Sequence, residues 1–97
     1  MKKRNYIPLG AAEVTPGEIL FEDYMKPMSL SIRELSRRMK CDPMRVSEII
    51  RGKRSISAET SLMLGKAFSM SPDFWFNIQN THDLAIAAKK HPELLAA

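Results

Sequence analysis

The sequence predicts an all-α fold of five short helices, with a short N-terminal arm and a helical C-terminal tail. Three observations lead there. Helix-start signals recur along the chain, each a Ser, Thr or Asp cap, most of them followed by proline or by glutamate three positions on. Apolar residues after each start fall at three- and four-residue spacing, the period of a helix. No segment alternates apolar and polar residues over the length of a strand. The 97 residues allow one domain, and a composition 44% apolar is that of a folded chain rather than a disordered one.

Residues 1–14 read as an irregular arm, broken by Pro8 and Gly10. Thr15-Pro16-Gly17-Glu18 opens the first helix. Thr15 caps it, Pro16 takes the first helical position and Glu18 completes a capping box. Ile19, Leu20 and Tyr24 form its apolar stripe. Pro27 ends it, because the residue before a proline avoids helical geometry. Ser31-Ile32-Arg33-Glu34 opens the second helix with the same box; Leu35 and Met39 turn inward, while Arg33, Arg37, Arg38 and Lys40 turn outward. Asp42-Pro43 opens the third, which runs from about Asp42 to Arg51 and is anchored by Val46, Ile49 and Ile50. Gly52 stops it, since glycine takes the left-handed conformation cheaply.

Ser57 opens a fourth helix that runs to about Ser69, with Leu64, Ala67 and Phe68 inward. Ser71-Pro72 opens a fifth, carrying Phe74, Trp75 and Ile78. These aromatics read as core, with Trp75 alternatively reaching a dimer interface. Residues 15–80 form the expected domain; residues 81–97 form a partly helical tail, broken at His91-Pro92 and frayed at its end.

The second and third helices are joined by only about three residues, which forces a sharp corner and projects the third helix outward. Such a pair is a helix-turn-helix unit, whose second helix lies in the DNA major groove. Its requirements are met position by position. Leu35 and Met39 give the first helix apolar contacts, Ser36 is small enough for a close approach, and Val46, Ile49 and Ile50 give the second helix a buried stripe. Arg45, Ser47, Glu48 and Arg51 are polar and lie off that stripe. Lys40 departs from the pattern. A corner of this kind often needs positive φ, which costs a non-glycine residue roughly 1 kcal/mol.

Charge points to the same partner. From Lys26 to Arg54 there are nine basic and three acidic residues, against six basic and eight acidic elsewhere. A basic centre between near-neutral flanks suits a polyanion. Other classes find no support. Cys41 is the single cysteine, so no internal disulfide forms. His82 and His91 show no metal-ligand spacing, and there is no nucleophile–base cluster or glycine-rich phosphate loop. No enzyme activity, metal or cofactor is therefore expected. No apolar run approaches the ~20 residues of a membrane span, and none follows Met1–Arg4 as a secretory leader would require. The expected compartment is the cytoplasm.

Three motifs carry a family resemblance. Pro16-Gly17-Glu18-Ile19-Leu20 resembles the opening signature of the HigA antitoxin family, also called the virulence-associated protein I group of Xre/Cro-type (lambda-repressor-like) regulators. Arg45-Val46-Ser47-Glu48-Ile49-Ile50-Arg51-Gly52-Lys53-Arg54-Ser55-Ile56-Ser57 is similar to its recognition helix and following loop. Ser71-Pro72-Asp73-Phe74-Trp75-Phe76-Asn77-Ile78-Gln79 resembles its Ser-Pro-Glu-Phe-Trp-Leu-Asn-Leu-Gln segment. The likeness covers roughly residues 15–84. The chain departs at Ser36 and Gly65, where the family usually has alanine, and at Lys40, where glycine is usual.

Met44, Arg45 and Glu48 are the candidates for base contact, being early on the third helix and off its buried stripe. Arg45 suits guanine O6 and N7, Glu48 suits cytosine N4 or holds an arginine in place, and Met44 suits a thymine methyl. Ser31, Arg33, Ser47, Arg51, Lys53 and Arg54 are the candidates for phosphate contact. The motif geometry and the resemblance imply a homodimer on double-stranded operator DNA, with recognition helices about 34 Å apart. Phe76 to Leu84 are the candidate dimer surface. The resemblance further implies repression of the chain's own promoter and neutralisation of a cognate RNA-cleaving toxin, as in a type II toxin–antitoxin pair. A solitary regulator without a toxin, or a protein-interaction module with no operator, are the alternatives.

Overall fold

The computed structural model describes residues 10–95. The expectations for residues 1–9 of the arm and for the frayed end at 96–97 lie outside them. Among the described residues there are five helices and no strand. These are α1 (Pro16–Ile19), α2 (Ile32–Met39), α3 (Pro43–Ile50), α4 (Ala58–Phe68) and α5 (Pro72–Lys90), followed by a short 3-10 turn (Pro92–Leu95). The all-α, five-helix expectation is met.

Each start follows from its local sequence. Thr15 and Ser31 make full capping boxes: Glu18 N–H donates to Thr15 Oγ1 at 3.1 Å, and Thr15 N–H donates back to Glu18 Oε1 at 3.0 Å. Asp42 Oδ1 accepts the Met44 N–H at 2.8 Å, and Ser57 and Ser71 cap α4 and α5 in the same manner. Caps of this kind contribute about 1 kcal/mol each.

The first helix differs from expectation. α1 passes directly into a π-helical stretch, Leu20–Met25, before the chain turns at Pro27. Leu20 and Met25 are the residues fully buried there, while Ile19 and Tyr24 are half-buried. Two residues five apart stand about 140° from each other on an α-helix. Bonds of i→i+5 type bring both onto the core face; Lys26 N–H to Phe21 O at 2.9 Å is one of them. Burial of Met25 thus overrides the α period that places Ile19, Leu20 and Tyr24 on one stripe.

The core gathers Leu20, Met25, Leu30, Leu35, Met39, Val46, Ile49, Ile56, Leu64 and Trp75. Trp75 is wholly buried, with the rings of Tyr24, Phe74 and Phe68 at 4.9, 5.1 and 5.9 Å around it. Burial on this scale contributes about 4–6 kcal/mol of gross transfer free energy. It leaves Trp75 no surface to offer a partner, so the alternative placing at a dimer interface is corrected to core. α5 runs unbroken through residues 81–90.

Two glycines mark where backbones meet. A Cβ on Gly17 would lie 1.9 Å from the Ile49 carbonyl oxygen, so α1 rests directly on α3. A Cβ on Gly65 would lie 2.8 Å from the Met70 carbonyl oxygen, so α4 also meets the chain entering α5 closely, though less tightly. The glycine that interrupts the fourth helix in sequence therefore permits a close approach.

Candidate nucleic-acid interface

α2 and α3 meet at a corner of three residues, Lys40, Cys41 and Asp42. Lys40 adopts φ +57° and ψ +48°, the left-handed conformation the corner requires, without a glycine. The bonds that close α2 hold it: Lys40 N–H donates to Arg37 O at 3.2 Å and Cys41 N–H to Ser36 O at 3.0 Å. Ser36 is buried, and its Oγ donates to the Arg33 carbonyl at 2.8 Å, which satisfies the hydroxyl within its own turn. Burial pushes the Cys41 thiol pKa up, so it stays a neutral side chain lining the corner.

α3 presents two faces. Val46 and Ile49 are buried and Ile50 is partly so. Met44, Glu48 and Arg51, at i, i+4 and i+7, line the opposite side, with Arg45 and Ser47 on its two flanks. Met44 is 57% exposed, so its side chain is free to meet a partner. Ser47 is half-buried and its carbonyl accepts the Arg51 N–H at 3.1 Å. Arg51 caps the helix and is exposed, and Gly52 follows at φ +74° to turn the chain away.

The structure brings some candidates together and keeps others apart. Glu48 Oε1 accepts from Arg54 Nε at 2.9 Å, and its carbonyl accepts the Lys53 N–H at 2.8 Å. The recognition face and the loop after it are therefore one unit. Arg45 leans toward α4, with Nη1 3.5 Å from Met63 Sδ and 3.9 Å from Glu59 Oε1. Glu59 is well exposed, so this pair is worth little and releases Arg45 easily. Ser31 and Arg33 stand at the start of α2. The Ser31 N–H donates to Glu34 Oε1 at 2.9 Å and its Oγ accepts the Glu34 N–H at 3.0 Å. The Ser31 backbone N–H on the carboxylate, with the Ser31 side chain beside it, holds the Glu34 carboxyl below its usual range.

Sequence reasoning missed three residues here. Glu59 and Met63 touch Arg45 from another helix, and no spacing rule signals such a contact. Gln79 is buried on α5, and its Oε1 accepts the Ile56 N–H at 2.7 Å. It stands one turn beyond Trp75, a spacing that signals the core face, whereas the sequence reading sets it within the candidate dimer surface of residues 76–84. Among the described residues, no three His, Cys, Asp or Glu side chains stand close enough to hold a metal ion, and no helix is long and apolar enough to cross a membrane.

A helix-turn-helix family model matches residues 21–75. Virulence-associated protein I of Dichelobacter nodosus is 42% identical over 84 residues, covering 84% of this chain and 78% of that protein. Among solved structures, the Pseudomonas aeruginosa antitoxin HigA with the higBA promoter superimposes with a TM-score of 0.79 at 33% identity, covering 84% of this chain and 89% of that one. PA4674 of Pseudomonas aeruginosa in complex with its operator DNA superimposes with a TM-score of 0.80 at 33% identity, covering 84% and 86%.

Proposed function

Since this chain belongs to the helix-turn-helix family, in the group of virulence-associated protein I and the HigA antitoxins, we propose that it is a sequence-specific repressor. It binds double-stranded operator DNA in its own promoter as a homodimer, and it is the antitoxin of a type II pair that neutralises an RNA-cleaving toxin. It acts in the cytoplasm and carries no reaction of its own. The observation that carries this reading is the outward face of α3, with its apolar face locked into the core and Met44, Arg45, Glu48 and Arg51 left for a partner.

α3 enters the major groove. Arg45, once released by Glu59, donates to guanine O6 and N7, and Met44 meets a thymine methyl. Glu48 spans two tasks: it holds Arg54 toward the phosphates and presents its carboxylate to cytosine N4. Arg33, Arg51, Lys53 and Arg54 neutralise phosphates, with Ser47 and the Ser31 end of α2 beside them. Phe76 and Leu84, both large and exposed on α5, favour this helix as the surface where two copies meet.

Salt dependence tests the reading. Two protomers with four phosphate-facing cations each neutralise about eight phosphates, so log affinity should fall against log salt with a slope of about −7. The measurement is fluorescence anisotropy on a duplex carrying the chain's own promoter region. No binding at low salt contradicts the repressor reading.

A further inference from the structure

We propose that Gln79 is a positioning residue for DNA binding, holding the phosphate-facing loop after α3 from beneath; the role rests on the operator reading above. The loop runs from Arg51 to the α4 cap at Ser57. Its first half is tied to α3 through Glu48, which takes the Lys53 N–H and the Arg54 side chain. Beyond Arg54 the chain leaves α3, and its next hold is Ile56. The Ile56 side chain is buried and its N–H donates to Gln79 Oε1 at 2.7 Å.

The Gln79 amide is fixed at both ends. Its Nε2 donates to Asp83 Oδ1, one turn further along α5, at 2.9 Å. An amide oxygen and nitrogen are nearly the same size, so only their partners decide which way the group faces. Asp83 accepts only, so it draws the nitrogen and leaves the oxygen for Ile56. Beside this linkage lies a cleft of about 210 Å³, lined by Gly52, Arg54, Ser55, Gln79 and Asp83 among others. Without the Gln79 bond, the half of the loop beyond Arg54 has room to sink into that cleft, and it draws Arg54 and Lys53 inward against their bonds to Glu48. α5 thus sets where two of the phosphate-facing cations stand, although it is remote from α3 in sequence.

The test uses the full chain, its promoter duplex and two variants. Gln79→Met keeps the volume and removes both bonds. Gln79→Glu combined with Asp83→Asn keeps the net charge and both bonds: the carboxylate at 79 accepts from Ile56 and from the amide at 83. The readout is the salt slope, with the folded fraction measured by circular dichroism at each salt concentration and divided out. Withdrawal of Lys53 and Arg54 in both protomers flattens the slope by about 2 to 4. Gln79→Met is expected to show that flattening with roughly tenfold weaker binding at physiological salt, and the paired exchange is expected to restore the wild-type slope. An unchanged slope in Gln79→Met, or a flattened one in the folded paired exchange, overturns this role alone. A wild-type chain that binds no promoter DNA overturns the operator reading, and this role with it.

Discussion

Replacing Gly17 with alanine sets two effects of known size against each other. Helix propensity favours alanine over glycine by about 0.8–1.0 kcal/mol. Against it stands the packing of α1 on α3. The new Cβ would lie 1.9 Å from the Ile49 carbonyl oxygen, 2.8 Å from the Ile49 carbonyl carbon and 2.9 Å from the Ile50 Cα, where ordinary contact begins at 3.4 Å. All three are backbone atoms, so no rotamer change relieves the overlap, and the two helices must part by more than about 1 Å. Overpacking in a tight core costs about 1–3 kcal/mol, occasionally more, and an overlap this deep belongs at or beyond the upper end. The net expectation is a loss of about 2 kcal/mol, which lowers Tm by roughly 8–16 °C in a domain of this size. Thermal unfolding followed by circular dichroism measures it. Since Ile49 sits on α3, the same shift displaces Met44 and Arg45, and promoter affinity should fall even where the variant is fully folded. An unchanged or raised Tm would refute the claim that α1 seats α3 by direct backbone contact.

Three further outcomes follow from the same reasoning. Lys40→Gly removes the left-handed penalty at φ +57° and should stabilise the fold by about 1 kcal/mol, read as a higher Tm; a lower Tm would mean that the corner carries no strain. Gly65→Ala should destabilise despite better propensity, because its Cβ meets the Met70 carbonyl oxygen at 2.8 Å and the Pro72 backbone at 3.1 and 3.2 Å. The overlap is shallower than at Gly17, so the denaturant midpoint should fall less than for Gly17→Ala. The Ser31 bonds lower the Glu34 pKa in the folded chain, so their stabilisation is complete above the ordinary value of 4.5 and disappears as pH falls through the lowered one. Glu34→Gln removes the titrating group and should abolish that acid sensitivity, measured as urea midpoints across the acid range; an identical pH profile would argue against the linkage.

What was legible in the sequence is what short-range physics decides. Both capping boxes close within four residues, so Thr15 with Glu18 and Ser31 with Glu34 announce two helix starts. The strained corner at Lys40 was equally readable, since a three-residue joint between helices often needs positive φ, whereas Gly65 gained its meaning only once the Met70 carbonyl was set against it. The rest depended on contacts between distant segments. Gly17 reads as an ordinary first-turn residue until the Ile49 carbonyl is set against it. The π-helical turn exists because the core takes both Leu20 and Met25, a demand that no local rule contains. Glu48 could be read as a base-facing or an arginine-holding residue, and only the fold brings Arg54 to 2.9 Å from it. Arg45 was placed correctly on α3, but its neighbours Glu59 and Met63 come from α4.

If α3 reads base edges through its outward face, Arg45 is the residue on which the reading turns. The most direct measurement compares Arg45→Ala with the wild-type chain on the promoter duplex and on a scrambled duplex of equal length. Loss of a bidentate arginine–guanine contact is worth about 1–3 kcal/mol of discrimination. The variant should stay folded, keep its affinity for the scrambled duplex within a few-fold and lose roughly tenfold or more on the promoter. Equal preference for the promoter in the variant and the wild-type chain would contradict that reading.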